Sequence, residues 1–364
     1  MEYFSKSDAL TEHQYLPIID SHIHIRTLKR SLNQNAVLTE TGLRGLCIIS
    51  LQRLNDEFLT NNVCGLLLKL LLYGEIYFFG GFYRPRANED PRKQDYLGLT
   101  KRLIEMGCDG IKFYDAKPSV RKILNMAIDA PEFEDTYSYI EEMGLPMVNH
   151  VGDPANFWDG EDAPAIAKQF GWTYDSTYVH PEQYFEEISN VFNRHPKLNM
   201  ILSHLFFLSV DMPRLEGFLN DYPSIMVDVS PGTEMYDDFT NEPDAWNEFF
   251  TKYQDRILFG TDNGFYGEIP YEINVIRTFL ETRNEFNAWE RRIHGIGLDE
   301  VVLRKIYYDN FKGLVKQPRT VNLTMLADEF AYVSELVEES ELKAEWREDM
   351  KDIKDVLVKM GVMK

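Results

Sequence analysis

The sequence predicts an α/β protein, a (β/α)₈ TIM barrel followed by a C-terminal helical extension. Three observations support this fold class: eight short apolar runs recur along the chain, helical patterns separate them, and their overall span suits a barrel. Most of the runs are almost continuously apolar, which is typical of parallel strands that are buried on both faces. The runs together span about 245 residues, close to the roughly 250 that such a barrel requires.

The eight candidate strands follow one another in residues 16–25, 44–50, 75–83, 109–115, 145–152, 198–205, 224–230 and 256–262. Helical patterns lie between them. One ends at Gly107, the residue type that most often terminates a helix, and another runs between prolines in residues 181–196. Because eight strands in this order close a barrel by joining the first to the last, residues 16–25 and 256–262 are predicted to be parallel neighbours.

Two amphipathic helices are predicted after the barrel, because apolar residues recur there at intervals of three and four. The two stripes consist of Leu323, Leu326, Phe330, Val333 and Val337, and of Leu342, Trp346, Met350, Ile353, Leu357 and Met360. We therefore divide the chain into a barrel domain, residues 1–316, and a helical extension, residues 317–364. The stripes must be buried either on the same subunit's barrel or against a second subunit. We favour a homodimer that includes the extension, since two-fold homodimers are the commonest oligomers.

Composition excludes several classes of function. The formal net charge is −21, which disfavours binding to nucleic acid or to an anionic membrane surface. The three cysteines are odd in number and form no CxxC motif, so a reducing compartment is expected. Neither an apolar signal region nor an uninterrupted membrane-spanning stretch is present. We expect a cytoplasmic protein whose partner is a small-molecule substrate.

Candidate metal ligands stand at the ends of four predicted strands. His22 and His24, in the motif "PIIDSHIHIR", share one face of the first strand, because side chains alternate along a strand. That pair alone would be weak evidence, since two such histidines can also be an edge pair. His150, His204 and Asp262 end the fifth, sixth and eighth strands. The carboxyl ends of barrel strands converge on one mouth, so these side chains are predicted to form a metal site there.

The chain resembles the amidohydrolase superfamily, and within it the amidohydrolase-related metal-dependent hydrolases, which include aminocarboxymuconate-semialdehyde and resorcylate decarboxylases and several lactonases. The resemblance is carried, in the family's order, by the motifs "DSHIHI", "GIKFYD", "LPMVNHVGDP", "LNMILSHL", "RILFGTDNGF" and "IYYDNFKGLV". These motifs extend over more than four fifths of the chain. The resemblance implies a ligand set of His22, His24, His150 and Asp262. It implies that His204 is either a further ligand or the base beside the metal-bound water.

Three imidazoles and a carboxylate suit Zn²⁺, with Mn²⁺ or Fe²⁺ as alternatives. The expected catalytic residues are Asp262 and His204. Asp262 would take the proton of a metal-activated water, and His204 would orient the water or stabilise the developing oxyanion. Asp20 precedes His22 by two residues on the same face. It could hold an imidazole in one tautomer, or it could be a capping or paired acid.

Lys112, at the end of the fourth strand, has three possible roles. The binuclear members of the superfamily place a carboxylated lysine there that bridges two metals, and the mononuclear members lack it. An unmodified Lys112 could instead bind a substrate carboxylate, or pair with Asp153 or Asp228. We favour substrate binding or pairing over carboxylation.

The other candidate substrate-binding residues are Tyr114, Arg84 and Trp158. Tyr114 shares a strand face with Lys112. Arg84 and Arg86, after the third strand, could clamp a carboxylate or form a solvated turn. Trp158 belongs to a long aromatic segment after the fifth strand, which could cover the mouth or pack on the rim of the barrel. These groups suggest a small anionic substrate, aromatic or lactone-like.

The leading hypothesis is a metal-dependent hydrolase that cleaves an amide, ester or lactone bond with a metal-activated water. A non-oxidative decarboxylase acting on a small carboxylic acid is the enzymatic alternative. The metal motif does not distinguish these reactions, because function on a shared fold depends on the loops. A metal-binding barrel without catalysis is the third possibility, although the full ligand set counts against it.

Overall fold

A computed structural model describes residues 13, 15–32, 41–52, 58–83, 85, 89–232, 234–264 and 269–363. Each of the eight predicted runs overlaps one parallel strand, and only β2 begins outside its run, by one residue. The strands are β1 (Ile18–His24), β2 (Leu43–Ile49), β3 (Glu75–Gly81), β4 (Gly110–Phe113), β5 (Pro146–Asn149), β6 (Asn199–Leu202), β7 (Ile225–Asp228) and β8 (Ile257–Leu258). Every strand pairs with the next in chain order. The predicted (β/α)₈ barrel is therefore confirmed.

Main-chain hydrogen bonds link β8 and the residues that follow it to β1. The amide of Asp262 donates to the carbonyl of His22 at 2.8 Å, and the amide of His24 donates to the carbonyl of Asn263 at 2.7 Å. Ile23 and Asn263 also form a parallel bridge. The first and last strands are thus neighbours, as predicted, and the sheet is nearly closed.

Helices surround the barrel. They are α1 (Leu28–Leu32), α2 (Asn61–Leu71), α3 (Tyr96–Met106), α4 (Pro118–Leu124), α5 (Glu134–Glu142), α6 (Ala165–Phe170), α7 (Pro181–Arg194), α8 (Met212–Asp221), α9 (Met235–Asn241), α10 (Pro243–Lys252), α11 (Ile269–Glu281), α12 (Glu300–Arg304) and α13 (Asn310–Val315). A hairpin of β9 (Glu285–Ala288) and β10 (Arg291–His294) follows α11. Gly107 ends α3 with φ of 110°, a conformation that favours glycine. No helix in the described ranges combines the length and apolarity of a membrane crossing.

The strands bury both of their faces, which explains their nearly continuous apolar sequences. Outward residues such as Ile48 and Phe78 belong to the large core beneath the helices. Their neighbours Cys47, Tyr77 and Phe79 belong to a separate cluster inside the barrel, which Phe311 of α13 also joins. The interior of the barrel is therefore filled by side chains.

The C-terminal extension forms α14 (Leu323–Glu339) and α15 (Lys343–Lys359) and packs on the barrel of the same chain. Eight stripe residues are buried, namely Leu326, Phe330, Val333, Val337, Trp346, Met350, Ile353 and Leu357. Asp349 of α15 accepts hydrogen bonds from the Leu28 amide at 2.9 Å and the Thr60 hydroxyl at 2.5 Å. Most residues of the two stripes are thus covered by their own subunit, which is the alternative that we did not favour, and the homodimer stays a prediction. The domain boundary at residue 316 stays a prediction.

Candidate metal centre

Two histidines and one aspartate converge at the carboxyl end of the barrel. The Nε2 atoms of His22 and His24 are 3.2 Å apart. Asp262 Oδ1 lies 3.5 Å from His22 Nε2 and 3.0 Å from His24 Nε2. One donor atom from each residue thus falls within 4.8 Å of the others. Sequence reasoning predicted these three residues together, and the fold brings them together.

The tautomers of both histidines are set by their other ring nitrogen. His22 Nδ1 lies 2.8 Å from Asp228 Oδ2, and His24 Nδ1 lies 2.9 Å from the carbonyl oxygen of Ile49. Because both oxygens can only accept, each Nδ1 carries the hydrogen and each Nε2 presents a lone pair. Burial lowers the pKa of His22, which keeps its imidazole neutral. Two lone pairs and a carboxylate oxygen facing one another fit a divalent metal ion.

Asp262 is held in an unusual backbone conformation immediately after β8. Its φ is 53°, in the left-handed region that non-glycine residues rarely adopt. Burial raises the pKa of Asp262, but the neighbouring imidazoles of His24 and His22 outweigh it and hold the pKa well below the usual range. The side chain is 34% exposed toward the mouth. Asp262 therefore presents an ionised carboxylate to the site at neutral pH.

Asp228, at the end of β7, organises two of the histidines. Besides the His22 ring, it accepts hydrogen bonds from the His204 amide at 2.9 Å and the Ser230 hydroxyl at 2.5 Å. Burial raises the pKa of Asp228, yet the adjacent His22 ring, which donates a hydrogen bond to the carboxylate, outweighs burial, and the pKa falls to about 2. Sequence reasoning considered Asp228 only as a partner for Lys112. An acid at the carboxyl end of a barrel strand was the signal that could have identified it.

Asp20 does not contact an imidazole ring. Its carboxylate accepts hydrogen bonds from the His22 amide at 3.1 Å, the Thr261 amide at 3.1 Å and the Thr261 hydroxyl at 2.6 Å. Burial raises its pKa to about 7. Of the two roles considered for Asp20, the structure shows the buried capping acid, which links β1 to the residues after β8.

His204 begins a left-handed turn directly after β6. His204, Leu205, Phe206 and Phe207 all have φ between 50° and 59°. Such conformations persist where the surroundings fix them, and they are concentrated at functional sites. His204 Nδ1 lies 2.9 Å from the carbonyl oxygen of Ser230, and so donates to it. The ring centroid lies 5.4 Å from that of His22, which places His204 beside the predicted ligands.

His150, at the end of β5, lies near this group but outside it. Its ring centroid is 5.3 Å from that of His204, and its Nε2 lies 3.1 Å from Asp153 Oδ1. Burial and the nearby Lys117 ammonium lower the pKa of His150 to about 3, so the ring is neutral. Within the described residues the compact metal-ligand group contains only His22, His24 and Asp262. Ligation by His150 stays a prediction.

A cavity of about 200 Å³ opens beside these residues. Its lining consists of His24, Ile25, Arg26, Leu51, Phe58, Lys112, Tyr114, Lys117, His150, Trp172, His204, Asp262 and Gly264. Three of these side chains are cationic and only Asp262 is anionic. The lining is therefore positive in a chain of net charge −21.

Lys112 is 2% exposed, and its ammonium group forms no hydrogen bond or ion pair with any of the residues that the structure describes. Asp153 is bound by Lys117 and Asp228 is bound by His22, so neither is the lysine partner considered from the sequence. Burial lowers the pKa of Lys112 to about 8.

The remaining predicted substrate-binding residues differ in position. Tyr114 lines the cavity, 5.5 Å from the His150 ring. Trp158 packs against Tyr174, with ring centroids 4.6 Å apart, and does not line the cavity. Trp172 of the same segment lines it instead. Arg84, like Arg86, lies outside the described residues.

Comparison with known proteins places the chain in a family. The family described as Amidohydrolase matches residues 79–310, more than half of the chain. No curated protein matches the sequence.

Solved structures with the same fold include 2,6-dihydroxybenzoate decarboxylase in complex with 2,6-dihydroxybenzoate. It is 15% identical, with a TM-score of 0.52, over 83% of this chain and 98% of that chain. A second structure is the dihydroxybenzoic acid decarboxylase of Polaromonas sp. JS666 with bound manganese and the inhibitor 2-nitroresorcinol. It is 14% identical, with a TM-score of 0.50, over 83% of this chain and 97% of that chain. The organophosphorus hydrolase of Deinococcus radiodurans is 12% identical with a TM-score of 0.48, over 86% and 94%. At these identities the likeness concerns the fold alone. By its match to the family, the chain belongs to the amidohydrolases, whose enzymes are metal-dependent.

Proposed function

We propose that the protein is a metal-dependent hydrolase that cleaves an amide, ester or lactone bond of a small anionic substrate. The observation that carries this proposal is the convergence of His22, His24 and Asp262 beside a positively lined cavity. Both imidazoles present lone pairs, so the site is ready for a cation without rearrangement of its hydrogen bonds. Nitrogen and carboxylate ligands favour zinc, with manganese or iron as alternatives.

His22, His24 and Asp262 would hold the metal, and His150 is the candidate for a further ligand. When bound, the ion supplies Lewis acidity and lowers the pKa of a water molecule to roughly 7. Asp228 and the Ile49 carbonyl keep the two β1 imidazoles in the tautomer that can ligate. Asp262, ionised at neutral pH, can accept a proton through its carboxylate.

The hydrogen bond of His204 supports one of the roles that the sequence left open, that of the base beside the metal-bound water. The neutral ring uses its only N–H on the Ser230 carbonyl, which leaves Nε2 as an acceptor. No hydrogen bond of the described residues occupies this nitrogen. His204 is therefore suited to accept a proton from water as a general base, rather than to donate to an oxyanion in its neutral form.

The buried ammonium group of Lys112 supports the proposal that the substrate is an anion. A buried ammonium group without a partner is costly, and a substrate carboxylate in the cavity would compensate it. The rings of Tyr114 and Trp172 line the same cavity and offer flat contact surfaces for an aromatic or lactone ring.

The decisive experiment is turnover by the zinc-loaded protein on panels of lactones, esters and amides that carry a carboxylate. We expect hydrolysis of at least one class, and its loss in the Asp262→Asn variant. Absence of hydrolysis across all three panels, with one zinc bound per chain, would contradict the proposal.

Decarboxylation is the second candidate, because Lys112 would bind a carboxylic acid equally well. The two structures with TM-scores of 0.50 and 0.52 are decarboxylases of dihydroxybenzoic acids. Incubation with hydroxybenzoic acids separates the two reactions, since only a decarboxylase releases carbon dioxide without consuming water. Full metal content without either reaction would favour the non-catalytic barrel.

We also propose a cytoplasmic location for the protein. Cys47, Cys64 and Cys108 are buried free thiols, and burial raises the pKa of each above its usual value. Unpaired thiols are usual in a reducing compartment, which supports this location.

A further inference from the structure

Asp153, three residues after His150 in the loop that follows β5, binds groups from three parts of the barrel mouth. Its side chain is 3% exposed, and Lys117 Nζ lies 2.7 Å from both of its oxygens. The Tyr174 hydroxyl donates to Oδ2 at 2.5 Å, and His150 Nε2 lies 3.1 Å from Oδ1. Lys117 comes from the loop after β4, and Tyr174 comes from the aromatic segment before α7. A single carboxylate therefore joins two loops and a predicted metal ligand.

The first consequence concerns His150. The Asp153 carboxylate, paired with Lys117, can only accept a hydrogen bond, so the neutral His150 ring must carry its hydrogen on Nε2. The lone pair is then on Nδ1. Loss of Asp153 would leave both tautomers and several ring orientations accessible, and a histidine in the wrong tautomer presents N–H rather than a lone pair to a metal.

The second consequence concerns the wall of the cavity. Trp172 lines the cavity, and its ring lies over Lys117 Nζ, with 4.6 Å between the nitrogen and the ring centroid. Tyr174, two residues later, is tied to Asp153 through its hydroxyl. Phe157, Ala167 and Tyr174 form a small apolar cluster of their own, separate from the barrel core. The Asp153 contacts are thus among those that hold Trp172 over the mouth, together with the stacking of its ring on Phe157 and Phe170.

We infer that Asp153 is a positioning residue that fixes both the nitrogen that His150 offers to the metal and the Trp172 wall of the cavity. The inference rests on the metal site proposed above and assigns a function to Lys117 and Tyr174 as well. Lys117 neutralises the buried carboxylate and supports Trp172, while Tyr174 connects the wall to it. The position of Trp172 and the orientation of His150 then both depend on the Asp153 carboxylate.

Measurements of metal affinity test the first part of the inference, that Asp153 fixes the nitrogen that His150 offers to the metal. Cobalt(II) is titrated into Asp153→Ala, Asp153→Asn and wild-type protein in competition with a chelator, and the visible spectrum of the bound ion is recorded. We expect a 10- to 100-fold loss of affinity in Asp153→Ala, the size typical of groups that orient a ligand, together with an altered spectrum. Asp153→Asn keeps one acceptor oxygen and should recover part of the affinity. Wild-type affinity and spectrum in Asp153→Ala would overturn the inference.

Limited proteolysis tests the second part of the inference, that Asp153 holds the Trp172 wall of the cavity, and it needs neither metal nor substrate. Trypsin cleavage after Lys168, which is exposed within the aromatic segment, is measured by mass spectrometry against cleavage after the exposed Lys197. We expect at least fivefold faster cleavage after Lys168 in Asp153→Ala and Tyr174→Phe. Tyr178→Phe is the matched control, because it removes a hydroxyl of the same segment that does not bind Asp153. An unchanged ratio in Tyr174→Phe, or an equal increase in Tyr178→Phe, would overturn the inference.

The results also separate this inference from the proposed function. Tyr174→Phe should loosen the wall but change cobalt affinity less than threefold, because its Asp153–His150 contact is intact. A wild-type protein that binds no cobalt would refute the metal site itself. Normal wild-type binding that persists in Asp153→Ala would refute only the role of Asp153.

Discussion

Acceptor oxygens determine which nitrogen each histidine of the site presents. The Asp228 carboxylate, the Ile49 carbonyl and the Ser230 carbonyl each occupy one Nδ1, and each leaves an Nε2 free for chemistry. The histidines themselves could be predicted, because they stand at strand ends in the sequence. Their tautomers could not, because the acceptors come from other strands and two of them are main-chain atoms that any residue supplies.

Replacing His204 by asparagine should separate catalysis from metal binding. His204→Asn removes the free Nε2, while His22, His24 and Asp262 keep their positions. We expect the variant to retain most of its metal and to lose about 10²- to 10⁴-fold in turnover, the usual contribution of a general base. Metal content by elemental analysis and steady-state kinetics on the identified substrate measure the two quantities. Unchanged turnover would show that His204 has a structural role and not a catalytic one.

The buried ammonium of Lys112 should make anion binding depend on pH. Burial lowers the pKa of Lys112 to about 8, so the group is cationic at pH 7 and becomes neutral as the pH rises through 8. The affinity for benzoate, measured by calorimetry, should fall by about tenfold from pH 7 to pH 9. Lys112→Met should bind benzoate weakly throughout, without this pH dependence, whereas Lys197→Met on the surface should behave as wild type. An identical pH profile in Lys112→Met would exclude Lys112 as the anion site.

At the scale of elements, the apolar pattern of the sequence predicted the strands but not the turns. Seven of the eight strands lie within their predicted runs and β2 begins one residue earlier, since continuous burial leaves a direct mark on composition. The left-handed turn of His204 to Phe207 leaves no such mark, because its sequence contains no glycine and the surrounding structure imposes the conformation. The surface against which the extension packs could not be predicted either, because an apolar stripe does not specify which surface covers it.

Asp349 is a buried polar residue of the extension, and its replacement should lower stability. Its carboxylate accepts hydrogen bonds from the Leu28 amide, the Thr60 hydroxyl and the Cys64 thiol. Asp349→Ala leaves these buried donors unsatisfied and should lower the free energy of unfolding by about 1–3 kcal/mol. Burial raises the pKa of Asp349, so the uncharged Asp349→Asn should lose less. Urea denaturation measures the difference, and the exposed Asp355→Ala should stay within about 0.5 kcal/mol of wild type. An equally small loss in Asp349→Ala would show that α15 docks without this contact.

At the scale of the whole molecule, metal binding should stabilise the closed barrel. The ligands stand on β1 and directly after β8, the two strands whose pairing closes the sheet. A metal held 100-fold above its dissociation constant adds about 2.7 kcal/mol to the folded state. We expect zinc to raise the melting temperature by several degrees and a chelator to reverse the change. The double variant His22→Ala, His24→Ala should show no shift, and a full shift in that variant would refute the ligand assignment.

The contact between Leu28 and Asp349 spans 321 residues of the chain. A ribosome adds about 5–20 residues per second, so roughly 15–65 s separate the synthesis of these two residues. Throughout that interval α1 lacks its acceptor, and until β8 has been synthesised β1 also lacks its neighbour, which leaves an apolar strand edge open to other chains. Nascent protein should therefore need protection by chaperones until α15 has emerged, and α1 is among the last of the described helices to reach its final contacts.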